Sequence, residues 1–182
     1  DQIICSCQRG IVVSAAIDLD DLAFMLWHAV FTVGHIAPDD DAAVFFERGN
    51  VGLAVRASSA VAGVISPVGI QGIEYEDADE SLPVAVRAAR QAGAQFVIAV
   101  DVSAHAGKAP AGTSAALLDR DARRRGRIDP ETRLADFVIH PDMAYAAGPR
   151  ASYFVQARMA GEATAGRLLP ELMRKMALAG VR

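Results

Sequence analysis

The alternation of apolar and polar positions divides the chain into short segments of two periods. Gln2-Ile3-Ile4 is a brief apolar run, Cys5 to Gly10 is small and polar, and Ile11 to Ala16 is apolar again, a pattern that reads as strand, turn and buried helix. Asp18-Leu19-Asp20-Asp21 predicts a helix start, because acids in the first turn face the positive end of the helix dipole, and Leu22 to His28 supplies its body. Phe31 to Ile36 and Ala43 to Phe46 have strand character, separated by the turn Pro38-Asp39-Asp40-Asp41. Val51 to Ala62 is rich in alanine and valine and predicts a helix. Gly69 to Tyr75 predicts a hairpin.

Beyond the hairpin, Ser81 and Pro83 suit a helix N-terminus, and the helix is expected to stop at Gly93. Phe96 to Val100 is a run of five apolar residues directly after that helix, the pattern of a parallel strand buried on both faces. Ala106 to Gly112 reads as a loop. Phe137 to His140 is a second strand of buried type, stopped by Pro141. The chain closes with helical sequence from about Ala151 to Leu178, expected to break at Pro170. Strands alternating with helices predict an α/β fold around a mostly parallel sheet.

Length and composition narrow the class. The 182 residues are 52% hydrophobic and 22% charged, which fits one domain with a substantial core and excludes a disordered or collagen-like chain. Eighteen Lys and Arg against 22 Asp and Glu give a net charge of −4, so no nucleic-acid partner is expected. The longest apolar stretch, Leu22 to Ala37, is interrupted by His28, Thr32, Gly34 and His35 and falls short of the roughly 18 residues a membrane span needs. A cytoplasmic location follows as the expectation, with contact at a membrane surface left open.

Chemistry has few candidates. Cys5 and Cys7 are too close to build a disulfide framework, and Cys5-Ser6-Cys7 has no second ligand cluster to complete a metal site. His28, His35, His105 and His140 are scattered through the sequence and read as structural. Asp101 reads as a brace for the loop it begins. Arg120, Arg123, Arg124, Arg125 and Arg127 alternate with Asp119, Asp121 and Asp129, which reads as a solvated helix with local ion pairs; the alternative is a patch for anionic lipid head groups.

Phe46 to Val64, with Arg56-Ala57-Ser58-Ser59-Ala60 at its centre, resembles the middle of the bacterial patatin-like lipid acyl hydrolases. Pro67-Val68, the hairpin, Asp77, Leu82-Pro83-Val84, Gly93-Ala94 and the strand Phe96 to Asp101 continue the resemblance in order, and Ala135 to Asp142 is similar to the family's last strand. The resemblance implies a three-layer patatin-like domain spanning residues 1–182, with the family's first strand and oxyanion loop apparently absent from its N-terminal side. It also implies cleavage of carboxylic ester bonds in phospholipids or other acyl lipids, through an acyl-enzyme on a nucleophile–Asp dyad. No metal or organic cofactor is required, and an oligomer or larger assembly is compatible with it.

Carried over by position, the dyad acid is Asp77, followed here by Ala78 where the family has glycine. The nucleophile position of the family's Gly-x-Ser-x-Gly motif holds Cys7, with Cys5 and Arg9 in place of the two glycines. Both replacements add bulk to a turn that is sharp and crowded. A register slip would offer Ser6 instead. The second expectation is therefore a catalytically impaired relative that keeps the fold as a binding or structural subunit.

Overall fold

The computed structural model describes residues 11–14, 31–35, 43–46, 50–78, 81–91, 93–145 and 151–181. It is a mixed α/β structure with two small sheets. Strands β1 (Ile11–Ser14), β6 (Phe96–Val100) and β7 (Phe137–Ile139) form a parallel sheet in the order β1-β6-β7. Strands β2 (Phe31–His35), β3 (Ala43–Phe46), β4 (Val68–Ile70) and β5 (Ile73–Asp77) form an antiparallel sheet in the order β3-β2-β5-β4. Four helices accompany them among the described residues: α1 (Val51–Ser58), α2 (Val86–Gln91), α3 (Ala115–Thr132) and α4 (Ala151–Leu178).

The centre of the parallel sheet is β6, and its sequence explains its place. Phe96, Val97, Ile98 and Ala99 are all buried, so both faces of the strand are covered. Val97 and Ala99 pack with Val84, Val86 and Ala89 around α2 and with Ile128 of α3. Phe96 and Ile98 face the other way, onto Phe137 and onto Leu168, Leu172 and Met176 of α4. A strand enclosed this way has no solvent face to mark with polar residues, hence the unbroken apolar run.

The β6–β7 seam is fastened at both ends, by a side chain before β7 and by a backbone bond after β6. Before β7, the Asp136 carboxylate accepts from the Val97 N–H at 2.6 Å and from Arg90 Nη2 at 2.6 Å, while the Asp136 N–H donates to Val97 O at 3.0 Å. After β6, the Asp101 N–H donates to Ile139 O at 2.9 Å. Glu131, almost completely buried near the end of α3, accepts from the Arg87 N–H at 2.8 Å and from Arg87 Nε at 2.6 Å. That carboxylate satisfies an N–H in the first turn of α2, a group helix geometry leaves without a backbone partner.

In the antiparallel sheet, β4 and β5 are joined by Gln71 and Gly72, with φ of 53° and 81°. Positive φ at both central positions is the turn whose twist matches two hydrogen-bonded strands. Helix α1, capped by Asn50 Oδ1 accepting from the Leu53 N–H at 3.1 Å, lays Ala57 against Val68, Val44, Phe46, Ile70 and Tyr75. Ala57 and Ala60 are fully buried, so neither position has room for a larger side chain.

Four expectations are corrected. Ile11–Ser14 is a strand, pairing in parallel with Phe96–Ala99, and not the start of a buried helix. Its β-branched residues suit a pleated ladder. The single mostly parallel sheet gives way to a parallel sheet and a larger antiparallel one. The helix after Ser81 begins only at Val86; Ser81 instead closes a turn on Ala78 O. Finally, α4 runs through Pro170 without a break. The ring removes one N–H, but Leu168, Leu172 and Met176 on either side of it pack on the sheet, and that burial offsets a cost of about 3 kcal/mol.

Candidate functional site

Asp77 is the last residue of β5. Its N–H donates to Ala60 O at 3.0 Å, and its side chain is half-buried. The hydrogen bond ties the strand end to the segment that follows α1, so Asp77 is held between the hairpin and the Ala57–Ala60 region. Ala78 behind it is buried, and its carbonyl accepts from the N–H groups of Ser81 at 3.0 Å and Leu82 at 2.8 Å. Cys7, Cys5, Ser6 and Arg9 lie outside the described residues, as do the helix expected over Asp18 to His28 and the turn Pro38 to Asp41.

A second concentration of polar groups stands where β6 and β7 end, at the carboxyl edge of the parallel sheet. Asp101 is 3% exposed and fully engaged. Its Oδ1 accepts from the Ser103 N–H at 2.9 Å and Ser103 Oγ at 2.6 Å, and its Oδ2 accepts from Arg125 Nη1 at 2.8 Å. Burial alone would push this carboxyl up; the bonds from Ser103 and then Arg125 outweigh it and hold Asp101 below the usual carboxylate range. Arg125 also reaches Ser103 Oγ at 2.6 Å and Ala104 O at 3.1 Å. Burial works against its charge, but its bond to Asp101 raises its already high pKa.

His140, one residue past β7, places Nε2 2.9 Å from Ser103 O and 3.6 Å from Asp101 Oδ2. Its ring stacks on His105 with centroids 3.8 Å apart. Ser103, His140 and Asp101 do not form a nucleophile–base relay: the imidazole meets the serine's backbone carbonyl, while the hydroxyl is taken by Asp101 and Arg125. The hydroxyl's hydrogen goes to the Asp101 carboxylate, which is itself held by Arg125.

Beside this cluster lies a cavity of about 140 Å³, walled by Ser103, by Arg120, Arg124 and Arg125 of α3, and by Tyr145 and Tyr153. Asp121 also lines it, paired with Arg120 at 3.2 Å and accepting a short hydrogen bond from Tyr145 Oη, which raises the tyrosine's pKa. No group of three or more His, Cys, Asp or Glu with metal-binding geometry occurs among the described residues. No helix among them is long and apolar enough to cross a membrane.

Compared with protein-family models and with curated proteins, the chain matches none.

The sequence placed Asp101 as a loop brace, and the structure bears this out. It also placed ion pairs along the arginine helix; Arg123 with Asp119 and Arg125 with Asp129 are such pairs. Two features carried no local signal. The Arg125–Asp101 pair joins residues 24 apart in the chain, and the stacked histidines are likewise distant in sequence. The only hint of either was that strand ends of a parallel sheet collect polar residues.

Proposed function

We propose that the chain is a relative of the patatin-like lipid acyl hydrolases, acting on carboxylic ester bonds of phospholipids or other acyl lipids. One observation carries the reading. The consecutive pieces that resemble the family pack into a single unit: α1 with its Ala-Ser-Ser-Ala segment, the β4–β5 hairpin, and Asp77 tied by its N–H to Ala60. Asp77 is the base and orienter in this reading, and Cys7 the nucleophile. The Cys7 thiol gives its proton to Asp77 as sulfur attacks the ester carbonyl; the proton passes to the departing alcohol oxygen, and water then hydrolyses the thioester. The neighbouring carboxylate disfavours the free thiolate, so turnover is slower than a serine in a glycine elbow would give.

The strand at Ile11–Ser14 favours a second reading. The family's nucleophile turn leads into a helix, and here the residues four to seven positions after Cys7 pair in a sheet. A relative altered in this way keeps the fold as a lipid-binding or structural subunit with little turnover. Its partners would be an acyl lipid, a membrane surface or further subunits of an assembly.

Ester hydrolysis measured on short- and long-acyl substrates separates the two. The hydrolase reading expects turnover by the parent chain that falls by at least a hundredfold in both Asp77→Asn and Cys7→Ala. Absence of turnover in a folded parent sinks it and leaves the binding reading, for which vesicle co-sedimentation is the assay.

A further inference from the structure

We propose that α4 pairs antiparallel with the same helix of a second copy of this chain, through the side it turns away from the sheet. The helix is apolar on two sides. Leu168, Leu172 and Met176 pack on β6 and β7. About 140° round the helix axis from them lie Met159, Ala163, Gly166, Pro170, Met173 and Ala177. All six are exposed, Met159 at 59% and Met173 at 57%. Their spacings alternate between four and three, the seam of a two-helix coiled coil, and the seam runs for about 27 Å. A helix that carries apolar residues all round is one that is covered all round.

Shape and charge choose the occupant. Antiparallel pairing centred at the level of Leu168 sets Met159 against the partner's Ala177, Ala163 against the partner's Met173, and Gly166 against the partner's Pro170. Each layer then joins a larger residue to a smaller one, which is how facing side chains interdigitate. Glu162, at the edge of the stripe, comes level with the partner's Arg174, opposite in charge. Leu169, 51% exposed, comes beside its own mate across the twofold axis that relates the copies. Parallel pairing would instead set Met159 on Met159, Glu162 on Glu162 and Arg174 on Arg174, with gaps at Ala163 and Gly166 and like charges in contact.

Gly166 supports the same assignment. Glycine in mid-helix is less favourable than alanine, and within one chain the position has no crowding to justify it: a β-carbon there would meet nothing within 4 Å. Close approach of another backbone is a use for such a glycine, and in the antiparallel register Gly166 lies next to the twofold axis, where the two helices are in contact. A single helix pair of this length falls at the lower end of the roughly 1,200–2,000 Å² that stable complexes bury, so the association is reversible at micromolar concentration.

Sedimentation velocity from low to high micromolar concentration reads the association. The parent is expected to pass from monomer to dimer over that range. Met159→Glu, Met173→Glu and Gly166→Leu are each expected to weaken dimerisation at least tenfold, with far-UV circular dichroism unchanged because all three positions are exposed in the single chain. Glu162→Arg and Arg174→Glu are each expected to weaken it severalfold, and the two together to restore most of the loss. Arg120→Gln, on the helix that packs across the sheet from α4, is the control and leaves it as it was. A parent that stays monomeric, dimers that tolerate both methionine substitutions, or a charge-swapped pair no tighter than either single variant overturns the proposal. A monomeric parent that co-sediments with phosphatidylcholine vesicles, and stops doing so in Met173→Glu, overturns it in favour of a lipid surface on the same stripe. Sedimentation is read without substrate, so a failure here leaves the ester-hydrolysis reading standing, and the converse holds.

Discussion

Replacing Asp101 with asparagine would keep the side chain's shape and remove its charge, leaving Arg125 facing a neutral amide in a largely buried setting. Breaking one partner of such a pair costs about 3 kcal/mol, and the loss should appear as a lower urea midpoint with an unchanged slope. The direction with pH follows from the depressed carboxyl. Asp101 is ionised more readily in the folded chain than in the unfolded one. Its contribution is therefore fully present above the unfolded value of about 3.9 and is lost as pH falls through the lower folded value. Urea midpoints taken across the acidic range should decline more steeply in the parent than in Asp101→Asn. Equal slopes would show that Asp101 titrates no differently when folded. The bracing role of Asp101 was legible because an acid after a buried strand has few other uses. Its partner was not, since nothing near Arg125 in sequence distinguishes it from the four arginines around it.

Elements differ in how openly their sequences declare them. The β4–β5 hairpin is marked by glycines and alternation, and its turn exposes a weakness that can be tested. Gln71 holds a left-handed conformation that a side chain with a β-carbon resists, whereas asparagine tolerates it. Gln71→Asn is expected to raise stability by about 0.5 kcal/mol, and Gly72→Ala to lower it by about 1 kcal/mol, both read from thermal midpoints. Strand β6 was equally plain, being an apolar run of a length that strands favour. Strand β1 was not, because a short run of Ile and Val looks the same at the start of a buried helix. Only its partner Phe96–Ala99, more than eighty residues away, decides the matter. Helix α4 conceals its continuity for a related reason: the proline is local, while the packing of Leu168, Leu172 and Met176 that outweighs it is not. Glu131 joins two such elements. Glu131→Ala would leave the Arg87 N–H without its acceptor and should cost about 2 kcal/mol, measurable by urea unfolding.

Across the whole molecule, the two candidate sites belong to different sheets. Asp77 closes a strand of the antiparallel sheet, and the arginine-lined cavity opens beyond the parallel one. A substitution beside the cavity can therefore serve as a control for the Asp77 reading: Arg120→Gln should leave ester turnover intact. The clasp at the start of the β6–β7 seam has a further consequence. The Val97 amide hydrogen is held by the Asp136 carboxylate, a side chain. Its exchange with deuterated solvent then reports the state of one side chain. In Asp136→Ala that single amide should lose much of its protection while Ala99, deeper in the same strand, keeps its own. A peptide bond in the centre of the sheet would thus serve as a clock for the opening of its edge.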